Sequence, residues 1–213
     1  MFHNPFDREE IQIRIAALRT RLQSADLEAA VIASPENVFY LTGLDHWGYF
    51  APHLLIVPLA GTPVLVTRAM ERVSIEKQVT TALFRGHSDT ETAADEASSV
   101  ISDLRLTNKR IGLECWTSGM SHGLAVDMKE KTVAQWVDIS GVVDQLRLVK
   151  SIAEQKLLRQ AARVSEIAAR AAVAAVGDGA RETDVAAECL AAMVRAGGHP
   201  PGFGPFIRPQ SRL

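Results

Sequence analysis

The chain has little cysteine: Cys115 and Cys189 alone among 213 residues, far apart and in no ligand spacing. That excludes a disulfide framework and a thiolate metal site, and fits two reduced thiols in a cytoplasmic protein. No segment approaches the ~20 consecutive apolar residues of a membrane helix. The Ala-rich run 161–176 is broken by Arg163, Glu166 and Arg170. The opening MFHNPFDREE carries acidic residues and no apolar run, so it does not read as a signal peptide. Basic blocks are missing too, and the net charge of -2 argues against a nucleic-acid surface. The six histidines include no i, i+4 pair and no H-E-x-x-H pattern, so the sequence predicts no metal site. Neither G-x-G-x-x-G nor a phosphate loop occurs. His87-Ser88-Asp89 and Asp45-His46 read as solvated loops rather than ligands.

What is present is an alternation of short apolar runs with amphipathic segments. The apolar fraction of 47% is enough for a core. Asp7 and Glu10 predict a helix from Arg8, with Ile11, Ile15, Leu18 and Leu22 on its apolar face and arginines on the other. A strand over 28–33 follows, then a short helix with Ser34 as N-cap and Pro35 in its first turn, ended by Gly43. Residues 53–57 and 64–67 read as a hairpin around Gly61-Thr62-Pro63. Further helices are expected over 70–78, 90–104 and 118–131, the last capped by Thr117 or Ser118, and strands over 82–85, 110–114 and 134–139. This alternation defines an α/β fold, a mixed β-sheet flanked by helices.

The register changes near residue 150. Ser151 and Glu154 have the S-x-x-E spacing of a capping box, so a long helix starts at Ile152. Leu158, Ala161, Ala162, Ser165, Ala168 and Ala172 share one of its faces by periodicity. Helices over 152–176 and 182–196 and a lone strand over 203–208 have too little partner surface to bury their apolar faces by themselves. They call for more chain, a partner subunit, or disorder.

Four passages carry a resemblance: Pro35-Glu36-Asn37-Val38-Phe39-Tyr40-Leu41-Thr42-Gly43, Lys109-Arg110-Ile111-Gly112-Leu113-Glu114, Val137-Asp138-Ile139-Ser140, and Asp144-x-x-Arg147-x-x-Lys150-Ser151-x-x-Glu154. In this order they resemble the creatinase, aminopeptidase P and prolidase family, the pita-bread metallohydrolases, with the creatinase-like branch the nearest. The resemblance implies an N-terminal domain over 1–145, then a linker and the first two helices of an incomplete pita-bread catalytic domain over 146–213. It implies hydrolysis of a C–N bond by the whole protein, with two divalent metal ions in the peptidases. The family's metal ligands would fall beyond Leu213, so this chain is expected to hold no catalytic or metal residue and to be inactive alone. Homodimerisation and pocket shaping for a dipeptide or small-molecule substrate would be its tasks.

In creatinase-like enzymes the loop matching Asp45 to His53 reaches the partner subunit's active site. Trp47, Tyr49, Phe50 and His53 are therefore candidate substrate contacts, and Arg208 is a candidate partner for a substrate carboxylate. Ala51 stands where that branch has an arginine, which argues against creatine itself. Two readings compete. One is a non-catalytic binding module for peptides or small molecules. The other is a serine hydrolase, since Gly119-Met120-Ser121-His122-Gly123 matches G-x-S-x-G literally, followed by Asp138 or Asp144 and His199. An elbow serine sits at the tip of a strand, however, and the expected strand ends near Glu114.

Overall fold

The computed structural model describes residues 4–45, 51–199 and 207. The chain forms two compact units, Met1–Val149 and Lys150–Leu213.

The first unit is built on six strands: β1 (Ala29–Ile32), β2 (Leu54–Pro58), β3 (Val64–Arg68), β4 (Leu83–His87), β5 (Arg110–Leu113) and β6 (Gln135–Asp138). Their order is β4-β3-β2-β1-β5-β6. β2 runs antiparallel to both neighbours, while β1, β5 and β6 are mutually parallel, as are β3 and β4. The result is a mixed sheet in which the carboxyl ends of every strand but β2 lie along one edge. β1 is buried on both faces, Ala29 to Ile32 all being inaccessible, which explains its unbroken apolar run.

One face of the sheet is covered by α1 (Arg8–Ser24), α2 (Pro35–Thr42) and α6 (Val142–Arg147), which pack on one another. Asp7 accepts from the Glu10 N–H and starts α1, and Ile11, Ile15, Leu18 and Leu22 are its buried face. The arginine-rich face is not wholly exposed. Arg14 is 4% exposed, donates to Tyr40 O at 2.8 Å, and lies between the rings of Phe6 and Tyr40. Two aromatic faces and a carbonyl replace its water, a solution that periodicity does not reveal. Gly43 ends α2 at φ +73 as expected, but Ser34 makes no side-chain cap; its hydroxyl donates to Glu36 instead.

The opposite face packs α4 (Ala93–Asp103) and α5 (His122–Lys131) against Val31, Ala33, Leu54, Ile56, Ile111 and Leu113. Between β3 and β4 lie a single 3-10 turn (Ala69–Glu71) and α3 (Arg72–Gln78), where the sequence predicts one helix. Thr92 and Asp95 form a capping box that sets the start of α4 three residues later than expected. The cap of α5 is Ser121, not Thr117 or Ser118, because residues 117–120 form a turn closed by Met120 N to Thr117 O. α6 is an element the sequence reading leaves as a junction. It is six residues long and enters through Gly141 at φ +84, too short to show a period.

α4 and α5 are joined by Lys131, whose ammonium lies 2.6 Å from Asp95 and 3.0 Å from Asp127. Lys131 first, and then the Thr92 hydrogen bonds, hold the Asp95 carboxyl down to about 2. Because the folded value lies below the ordinary 3.8, the pair's contribution is present above pH ~4 and is lost as pH falls towards 2. Solvent and salt screen the contribution at this exposed pair. Carboxyl titration by NMR is expected to place the Asp95 midpoint near 2 and to move it up in Lys131→Met. An unchanged midpoint in that variant would remove Lys131 as the cause.

The second unit contains α7 (Ile152–Ala174) and α8 (Glu182–Arg195), packed on each other. The Ser151–Glu154 capping box is present as expected. The buried stripe matches the expected one only in part. Of Leu158, Ala161, Ala162, Ser165, Ala168 and Ala172, Ala168 is buried and Ala172 half-buried, while Leu158 is 55% exposed. Leu157, Val164, Ala171 and Ala175 are half-buried beside them. In a helix with alanine all round, neighbouring stripes fit the period equally well. Ile152, Ile167, Val173, Val176 and Val194 are exposed.

Candidate functional site

Asn37, Glu114, Asp144 and Arg147, all from the passages quoted above, come together at the carboxyl ends of β1 and β5. Glu114 follows β5 and is 3% exposed. One carboxylate oxygen accepts from the backbone N–H of Ala33 at 2.8 Å and of Ser34 at 2.7 Å. The other accepts from the Asn37 amide at 2.5 Å. The Asn37 carbonyl in turn accepts from Arg147 at 2.7 Å, and Arg147 also reaches Asp144 at 3.4 Å. Three elements far apart in sequence, the loop entering α2, the end of β5 and α6, are thus tied by one chain of charge-assisted hydrogen bonds. Beside them, the Ser34 hydroxyl holds the Glu36 carboxyl below the usual carboxylate range, with Arg147 adding a smaller pull. Nothing in the spacing of Asn37, Glu114 and Arg147 along the chain assigns them a role. The signal for one was Glu114 itself, a charged residue closing an apolar strand.

Next to this cluster, Ser140 links β6 to β5. Its hydroxyl donates to Asp138 at 2.6 Å and accepts from the backbone N–H of Cys115 and Trp116, each at 3.0 Å. Burial and the nearby Asp138 push the Cys115 thiol up, which makes it a poor nucleophile. Ser121 is a helix cap: its hydroxyl accepts from the Leu124 N–H. β5 ends at Leu113, well before it, so the G-x-S-x-G match is not a strand-to-helix elbow. Gly119 is there for packing, since its Cα sits against the carbonyl of Ala33.

His53 is buried just before β2, its Nδ1 3.0 Å from Ala51 O. Trp47, Tyr49, Phe50 and Arg208 lie outside the described residues. His87, read from sequence as solvated, is 8% exposed at the end of β4, with Nδ1 3.0 Å from Ser88 O. It is the last residue of β4, paired in register with Arg68 of β3, so the sheet and not an open loop sets its environment. Asp89 pairs with Arg68 at 2.7 Å. Among the described residues, no group of three or more His, Cys, Asp or Glu is placed to hold a metal ion. None of the described helices is long and apolar enough to cross a membrane.

The fold and this cluster define a mixed α/β domain whose buried charges serve architecture. A family model described as the creatinase/prolidase N-terminal domain matches residues 14–149, and the chain belongs to that family. Among curated relatives, the Xaa-Pro dipeptidase of Pyrococcus horikoshii is 23% identical over 191 residues, covering 85% of this chain and 47% of its own length. The solved Xaa-Pro dipeptidase from Bacillus anthracis superposes with a TM-score of 0.73 at 19% identity, over 87% of this chain and 49% of that one. The creatinase/prolidase N-terminal domain of an X-Pro dipeptidase from Streptococcus pyogenes superposes with a TM-score of 0.54 at 19% identity, over 62% of this chain and 98% of that one. At these identities the structures establish the fold. The chain spans about half the length of the curated relatives it matches over most of its own.

Proposed function

We propose that this chain is the N-terminal portion of a cytoplasmic C–N bond hydrolase of the Xaa-Pro aminopeptidase, prolidase and creatinase type, and that it serves dimerisation and substrate-pocket shaping. The observation that carries this reading is the extent of the matches. The N-terminal-domain model ends at residue 149, and dipeptidase relatives align over most of this chain yet continue for about as long again. Trp47, Tyr49, Phe50 and His53 then contact a substrate in a partner subunit, and Arg208 pairs with a substrate carboxylate. The two divalent metal ions of a full-length peptidase would activate water. Among the described residues of this chain, no group of three or more His, Cys, Asp or Glu is placed as a donor set for them.

Two measurements on the purified chain test the reading. Xaa-Pro dipeptides incubated with it and with added divalent metal are expected to stay intact; turnover abolished by chelator would overturn the non-catalytic role. Analytical ultracentrifugation is expected to give a species of twice 23.1 kDa. A monomer across the accessible concentration range would remove dimerisation from the proposal.

A further inference from the structure

The boundary between β1 and β5 is where the connections of the sheet part. From β1 the chain leaves into α2, on the face that carries α1; from β5 it leaves into α5, on the face that carries α4. In open α/β sheets, ligands settle in the crevice outside the carboxyl ends of the strands at such a point. Backbone N–H groups after the strand and at the following helix start are unpaired there and attract anions. In this chain those donors are the N–H groups of Ala33 and Ser34 and the side-chain amide of Asn37. All three are taken by Glu114, a carboxylate supplied by the neighbouring strand.

We propose that Glu114 is a tethered ligand, and that the crevice is a binding site for a small monocarboxylate which the chain fills with its own side chain. Covalent attachment gives the carboxylate a high effective concentration, so a dissolved anion does not displace it. The site is therefore latent and opens when the side chain is cut back. The size of the anion follows from bond counting. Glu114→Ala removes the Cγ methylene and the carboxylate, which together are the heavy-atom frame of acetate. Glu114→Gly removes one carbon more, the frame of propionate. The Ala33, Ser34 and Asn37 donors stay in place, because Ala33 is buried directly after the fully buried strand β1 and Asn37 is held from its other side by Arg147. The crevice in the unaltered chain is then not a substrate site, and any substrate of the proposed hydrolase binds elsewhere.

The test is thermal unfolding of the wild-type chain, Glu114→Ala and Glu114→Gln in sodium acetate, sodium propionate and sodium chloride at matched ionic strength. Glu114→Ala is expected to melt below wild type and to regain about 3–5 °C in saturating acetate, as for a ligand near tenfold its dissociation constant. Chloride is expected to have no such effect and propionate a weaker one, with the order of the two carboxylates reversed in Glu114→Gly. Wild type and Glu114→Gln, whose crevices are full, are expected to show no acetate-specific shift. Adding Asn37→Leu to Glu114→Ala is expected to weaken the acetate response about tenfold by removing one donor. Equal acetate shifts in wild type and Glu114→Ala, or acetate no better than chloride, would overturn the proposal. If Glu114→Ala does not fold in chloride, dilution from urea into acetate decides: recovery supports the latent site, and failure in acetate as well refutes it.

Discussion

Asn37→Leu is expected to lower the unfolding free energy by about 3 kcal/mol, measured by urea denaturation. Asn37 is 1% exposed and stands between two charges. Its amide donates to Glu114 at 2.5 Å and its carbonyl accepts from Arg147 at 2.7 Å. Leucine fills a similar volume but leaves a buried carboxylate oxygen without this donor. A hydrogen bond to a charged group contributes roughly 1.5–3 kcal/mol, and an unsatisfied buried charge costs more than the bond it lost. The Arg147 side is worth less, because that guanidinium is a third exposed and its pair with Asp144 is screened. Arg147→Leu alone is therefore expected to cost about 1 kcal/mol, and the double variant less than the sum of the two. Loss of less than ~0.5 kcal/mol in Asn37→Leu would mean that water takes the place of the amide, and that the cluster is not a joint.

Gly119→Ala is expected to cost about 3 kcal/mol or more, a fall in melting temperature of roughly 6–12 °C. A Cβ added there would approach the Ala33 carbonyl oxygen to 1.9 Å. Neither side of that contact gives readily. Ala33 is buried directly after the fully buried strand β1, and its N–H is held by Glu114. The turn 117–120 must move instead, and with it the Ser121 cap of α5. Two neighbours in the same pentapeptide serve as controls. Gly123→Ala meets nothing within 4 Å and is expected to be neutral or slightly stabilising. Ser121→Ala loses a cap worth about 1 kcal/mol. A fluorophosphonate is expected to leave Ser121 unlabelled, and labelling that depends on this serine would revive the hydrolase reading.

Much of this fold was legible because its signals are local. Asp7 with Glu10, Ser151 with Glu154, and Gly43 each stop or start a helix by satisfying backbone groups a few residues away, and each does so here. The strand pattern was legible for the same reason, since β1 and β2 are short, apolar and bounded by turn residues. What escaped depends on contacts that sequence spacing does not encode. The cap of α5 moved to Ser121 because Gly119 must lie on a carbonyl some 86 positions earlier in the chain. The packed stripe of α7 shifted because alanine on every side leaves the choice to α8. Arg14 went inside because two aromatic rings from different segments enclose it. The cluster at the sheet edge was present in the quoted passages, yet its meaning lies in pairs such as Asn37 and Arg147, separated by 110 positions.

The pairing of β1 with β5 has a bearing on how the chain matures on the ribosome. β1, β2, β3 and β4 emerge in sequence and can assemble through neighbouring contacts. β5, which covers the other side of β1, arrives some 80 residues after it, as does the carboxylate that satisfies Ala33 and Ser34. Until then the nascent chain carries an apolar strand with an open edge and bare N–H groups beside it, the kind of surface that recruits other strands. Closing that gap requires a long loop to be ordered first, which slows the step. Slowing synthesis between Pro58 and Glu114 is therefore expected to lower the yield of folded protein more than the same delay elsewhere in the first unit, which expression with slow codons placed in that stretch would check.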